Sequence, residues 1–153
     1  MPTRPRRRIG LAIAATVAAL WMWNAAPARA VTPDGEAALA LPVPPGKALV
    51  YLVRPSEFGP TVPIQVVVNH QSIGATLAQT FFVIEAAPGE LRLESRADNT
   101  AELVFTAEAG QRYWVLQDAR VGVLSATTGL QLAPQFLGRE GVEESRLVRH
   151  VKL

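Results

Sequence analysis

The chain has no cysteine, only two histidines in 153 residues, and few aromatic side chains, at 7%. Without a thiol there is no thiolate nucleophile, no cysteine zinc site, no disulfide framework and no sulfur on which a bacterial lipid tether could be built. Stability must come from packing alone. Histidine is the usual general base and metal ligand; here His70 falls in a turn and His150 near the C-terminus, so both read as solvated side chains. Ser56, His70 and Asp98 could be drawn as a triad on paper, but no G-x-S-x-G elbow or Gly-rich phosphate loop accompanies them. Glu140, Glu143 and Glu144 lack the alternating ligands and glycine of a calcium loop, and Asp98 with Asn99 suits a turn. The expectation is a non-enzymatic protein with no cofactor and no metal.

Long apolar runs are missing too. The longest, Ile9 to Trp23, has 15 residues, short of the roughly 20 that a helix needs to cross a bilayer. A basic surface is also absent from most of the chain. The five arginines at positions 4, 6, 7, 8 and 29 leave ten bases against thirteen acids over the remaining 123 residues, so the body carries about −3 although the whole chain is +2. With no stripe of Lys and Arg to meet phosphates, nucleic acid is not an expected partner.

What is present at the start is a basic head ending at Arg8, an apolar stretch from Ile9 to Trp23, and Ala28, Arg29, Ala30 as an A-x-A site. These are the three parts of a secretory signal, with cleavage expected between Ala30 and Val31. The product is then periplasmic or secreted. If residues 1–30 were retained instead, they would anchor the chain at the inner membrane, which is the one route to membrane association. Gly10 interrupts the apolar pair that would follow Arg6 and Arg7 in a twin-arginine signal, so general secretion is expected.

Residues 31–46 contain prolines at 33, 42, 44 and 45 and are expected as a Pro-rich linker, with the folded domain spanning 47–153. Ala48 to Val53 is a continuous apolar run, which fits a central strand covered on both faces. Ile64, Val66 and Val68 alternate with other residues at the period of two of a half-buried strand, and Asn69 to Gln71 reads as a turn into a return strand at Ile73 and Ala75. Phe81 to Ile84 is another apolar run, followed by the turn residues Pro88 and Gly89. Leu91, Leu93 and Ser95 then alternate with Glu90, Arg92, Glu94 and Arg96, giving one apolar and one charged face. Such a wet face favours antiparallel pairing. Leu103 with Phe105, Tyr113 to Leu116, Val121 to Ser125 and Thr128 to Leu132 continue at spacings of about ten residues. The fold class expected is all-β, an antiparallel sandwich of seven to eight strands. A short C-terminal helix is expected within Gly138 to His150, its acids early and its arginines late, with Leu147 to Leu153 as a terminal strand.

Several of these elements together resemble a bacterial envelope family catalogued as domain of unknown function 2846. They are Tyr51 to Pro55 as a strand ending in R-P, the run P-I-Q-V-V-V-N-H-Q-S-I-G from Pro63 to Gly74, Phe81 and Phe82 before Pro88 and Gly89, the E-A-G-x-x-Y element from Glu108 to Tyr113, and the pair Gly138, Arg139. The resemblance implies a small exported β-sandwich, often tethered as a lipoprotein, and brings no activity with it. The hairpin and the P-G turn are also similar to surface-anchored repeat modules with transthyretin-like sheets.

Two aromatic residues are candidate contacts for a ligand or partner. Trp114, beside Tyr113 on a strand, would offer a face for stacking on a sugar if exposed, although its neighbours Tyr113, Val115 and Leu116 favour core packing. Phe58, at the centre of a Pro/Gly loop, either meets a partner or, the favoured reading, plugs the sandwich end. The function expected is that of a protein-interaction or accessory module of the bacterial envelope, acting through an open sheet edge on another envelope protein. A glycan or small-ligand module using an exposed aromatic is the alternative.

Overall fold

The computed structural model describes residues 30–55, 62–122 and 125–153; residues 1–29, which hold most of the expected leader, and Phe58 lie outside them. The chain order is α1 (Pro33–Leu39), β1 (Ala48–Arg54), β2 (Ile64–Val68), β3 (Gln71–Thr76), β4 (Thr80–Ala86), β5 (Gly89–Arg96), β6 (Thr100–Ala107), β7 (Arg112–Val121), β8 (Ala126–Leu132), α2 (Gln135–Glu143) and β9 (Arg146–Lys152). Among the described residues the nine strands form a five-stranded sheet, β8-β7-β1-β4-β9, and a four-stranded sheet, β3-β2-β5-β6. This is the expected all-β sandwich with a short helix near the C-terminus, with nine described strands rather than seven to eight because the C-terminal segment Arg146–Lys152 joins the larger sheet.

Alternation explains how the sheets meet. Val50, Leu52, Phe82, Ile84 and Val115 from the larger sheet face Val66, Val68, Leu91 and Leu93 from the smaller one in a single buried cluster. On strands with period two the intervening residues must point the other way, and Leu49, Tyr51, Val53, Phe81, Val83 and Trp114 do so, forming a second cluster with Ala38 of α1 and Val142 of α2. The helices therefore cover the outer face of the five-stranded sheet. Every residue of β1 is buried, as its unbroken apolar run requires. In β5 Leu91, Leu93 and Ser95 are buried as expected, but the opposite face is wet only at its ends: Glu90 and Arg96 are exposed, Arg92 is half-buried and Glu94 is buried.

Three features differ from the sequence reading. Residues 31–46 are not simply a linker, because Pro33–Leu39 is helical. Thr32 caps it, its hydroxyl accepting from the Gly35 N–H at 3.0 Å, with Pro33 in the first turn beside Asp34 and Glu36. A proline there costs no hydrogen bond, and the acids suit the helix dipole. The same hydroxyl donates to the Ser145 carbonyl at 2.6 Å. Gly35 lets α1 approach α2, since a Cβ on it would stand 2.4 Å from the Val142 carbonyl oxygen. Second, α2 begins at Gln135, so Glu140, Glu143 and Glu144 lie at its end and Arg146 and Arg149 belong to β9. Third, the larger sheet is mixed, with β1 parallel to β7 and β4 parallel to β9. Parallel neighbours need a crossover; α2 carries the chain over the outer face from β8 at one edge to β9 at the other.

Candidate functional site

Trp114 sits in register with Tyr51 of the neighbouring strand. The two rings stack with centroids 4.5 Å apart and planes 12° from parallel. Gly138 of α2 lies against the same indole, and a Cβ there would come within 2.3 Å of the Trp114 Cβ. Trp114 is consequently only 5% exposed. Of the two readings of Trp114, core packing holds and the exposed ligand contact does not: the ring is a packing surface between β1 and α2.

Beside it is a cleft of about 520 Å³, lined by Gly110, Gln111, Arg112, Tyr113, Leu132 and Gln135 among others. Its cation is already engaged. The Arg112 guanidinium donates to the Leu39 carbonyl at 3.1 Å, to the Leu41 carbonyl at 2.5 Å and to the Tyr51 hydroxyl at 3.4 Å, while that hydroxyl donates to the Ala38 carbonyl at 2.9 Å. These side chains satisfy carbonyls at and beyond the end of α1, where a cation is favoured. Burial raises the Tyr51 phenol above its ordinary value, with Arg112 and Arg139 drawing it part of the way back.

A pH dependence follows. Between the unfolded value of about 10 and the higher folded value, the folded chain holds a proton that the unfolded chain has lost, so stability falls as pH rises above about 10. Tyr51→Phe is expected to cost about 1 kcal/mol at neutral pH through the lost hydrogen bond and to flatten the alkaline limb. Urea melts at pH 7 and 10.5 check both.

The remaining sequence candidates are dispersed. Ala30 and Val31, the expected cleavage junction, are exposed immediately before the Thr32 cap. Asn69 and His70 adopt φ of 46° and 68°, both in the left-handed region, as a two-residue hairpin turn demands. The His70 side chain is 79% exposed, with Nδ1 3.9 Å from Glu94. His150 lies in the other sheet, Nε2 2.7 Å from a Glu85 oxygen that is also 3.9 Å from Lys152 Nζ. Asp98 and Asn99 join the β5–β6 turn to β8: Asp98 accepts from the Ala126 N–H at 2.6 Å, and Asn99 both accepts from the Thr128 N–H at 2.7 Å and donates to its carbonyl at 2.9 Å. Glu143 lies 3.7 Å from Arg139, one helical turn back. Ser56, like Phe58, lies outside the described residues. Among the described residues no three carboxylates or histidines gather as a metal site.

Sequence reasoning missed two arrangements. The first is a polar tract inside the sandwich. Thr76 donates to Gln117 Oε1 at 2.5 Å, Gln117 Nε2 donates to Ser95 at 2.6 Å, and Ser95 lies 2.6 Å from the Thr128 hydroxyl. Next to it the wholly buried Arg54 donates to the carbonyls of Val62 at 2.8 Å and Thr76 at 3.3 Å. Ser95 in the third inward place of the Leu91, Leu93, Ser95 series was the available signal.

The second is the free side of β9. Among the described residues this strand ends the five-stranded sheet and pairs on one side only, with β4. Leu147 and Val148 are 37% and 41% exposed. The Leu153 N–H reaches the Glu85 carbonyl at 3.0 Å, so by alternation the backbone groups of His150 and Lys152 point away from β4. Near its start the edge is covered, where Asp34 accepts from the Leu147 N–H at 3.1 Å. The residues mark a strand here, but no local pattern distinguishes an edge from a centre.

Residues 44–130 match the model of a family described as protein of unknown function, DUF2846. That span runs from Pro44 through β1–β7 into β8 and leaves both helices and β9 outside it. No curated protein and no solved structure matches the chain.

Proposed function

The chain belongs to the DUF2846 family of proteins of unknown function, and from that premise we propose that it is an exported, non-enzymatic β-sandwich that holds another envelope protein against its β9 edge. The observation that carries this reading is that, among the described residues, β9 pairs on one side alone and has outward backbone groups beyond Leu147. An extended segment can add there as a further strand, main-chain bonds supplying affinity and side chains specificity. Export rests on the three-part leader, and the exposed junction at Ala30 and Val31 supports it, since cleavage there leaves the Thr32 cap and α1 with the mature chain. No described helix is long and apolar enough to cross a membrane. The histidines in separate sheets favour a binding role over hydrolysis. A glycan or small-ligand role is less well supported, because Trp114 is buried and Arg112 is committed to α1.

The test is native mass spectrometry of the protein recovered at its own expression level from gently solubilised envelope. A chain beginning at Val31 with one second protein in fixed ratio is expected. His150→Pro removes an outward N–H that β4 does not use, a change that edge strands tolerate, and should abolish the complex while leaving the melting temperature within a few degrees of wild type. A bare monomer, or a complex indifferent to that substitution, contradicts the proposal.

A further inference from the structure

We propose that the segment seated on β9 is an acidic, extended one, with carboxylates on one face and apolar side chains on the other; this rests on the reading of β9 as a docking edge. From Arg146 to Lys152 the strand carries three fixed cations and a histidine and no acid. Its charges are not distributed evenly between the faces. Register with β4 places Leu147, His150 and Lys152 beside Phe81, Val83 and Glu85, on the side covered by the helices, and Arg146, Arg149 and Val151 beside Thr80, Phe82 and Ile84, on the side of the second sheet.

The carboxylates already present reach only part of this strand. Glu85 stands 2.7 Å from His150 and 3.9 Å from Lys152, and Asp34 is engaged by the Leu147 N–H. No ion pair among the described residues engages Arg146 or Arg149, and both are exposed. An incoming strand therefore meets uncompensated positive charge on the second-sheet face and exposed Leu147 and Val148 beside it. Carboxylates opposite the arginines and apolar residues on the other face complement both.

A second copy of this chain does not. Two β9 edges brought together would juxtapose arginines and lysines, and like charges across a ladder destabilise it. Cationic residues on an edge strand also discourage unwanted pairing in general, so the same side chains that keep the edge from its own copies select an acidic occupant.

The probe is a ten-residue peptide alternating Glu and Val, compared with its Lys/Val counterpart, on the full chain. Binding is read by fluorescence anisotropy and by slowed exchange of the His150 and Lys152 amides. The Glu peptide should slow these amides and bind about tenfold or more tightly than the Lys peptide at low salt, the difference shrinking as salt screens it. Arg146→Glu with Arg149→Glu should reverse the order, and Arg149→Ala, a milder change, should reduce it. Equal protection by both peptides, or an order unaltered by charge reversal, would overturn the acidic specificity while leaving edge docking intact. Protection by neither peptide would contradict the docking edge itself.

Discussion

Trp114→Ala is expected to destabilise the protein by roughly 3–5 kcal/mol, the cost of removing a large buried aromatic and leaving a cavity behind. The indole is held on two sides, stacked on Tyr51 at 4.5 Å and pressed by Gly138 with no room for a Cβ. Neither neighbour can collapse into the space without moving β1, the central strand, or α2. Because Tyr51 also holds the Ala38 carbonyl and Arg112 holds those of Leu39 and Leu41, loosening should extend to α1. For a domain of this size the melting temperature should fall by about 10 °C or more. Trp114→Phe, which keeps the stack, should lose less than half as much. A change within 1 kcal/mol for the alanine variant would show that the helices do not depend on this ring.

Arg54→Ala is the second large effect, expected at about 3–4 kcal/mol from the lost charged hydrogen bonds, the carbonyls left unpaired and the void. Arg54 is wholly buried at the end of β1, and its Nη1 donates to the Val62 and Thr76 carbonyls, which belong to the other sheet and the segment leading to it. Burial pushes the guanidinium below its ordinary value, yet an arginine keeps its charge, so its carbonyl partners must offset the lost hydration. They are main-chain groups and cannot be mutated away with it. Arg54→Lys should recover little, since a single ammonium does not reproduce the planar fork of donors. Chemical denaturation of the three proteins tests this, and a lysine variant as stable as wild type would mean that charge alone suffices.

How much of this was readable from residues depends on the range of the cause. The unbroken apolar run of β1 can only be satisfied by cover on both faces, and the alternation in β5 marks its inward residues Leu91, Leu93 and Ser95; both are local and both were legible, although Glu94 on the other face of β5 is buried as well. The cap of α1 was local too, Thr32 followed by Pro33, Asp34 and Glu36, but four prolines in sixteen residues favoured a linker. Parallel pairing of β1 with β7 and β4 with β9 depends on which strands become neighbours, which periodicity does not encode. The same holds for the polar tract, whose Thr76, Ser95, Gln117 and Thr128 come from four strands. Burial of Trp114 was legible from its flanking Tyr113, Val115 and Leu116, but what covers it was not, because the glycine that presses on it lies twenty-four residues away. β9 was visible as a strand, while its place at an edge came from topology. It also lies outside the span matched by the family model.

The most direct measurement is photo-crosslinking in the intact envelope from a benzophenone side chain placed at Val148, compared with one at Glu102, an exposed position on β6 in the other sheet. The account predicts one discrete adduct from Val148, of constant mass across preparations, with none from Glu102 and none from Val148 once His150→Pro is added. Adducts alike from both positions, or none from either, would contradict an interaction module that works through the β9 edge.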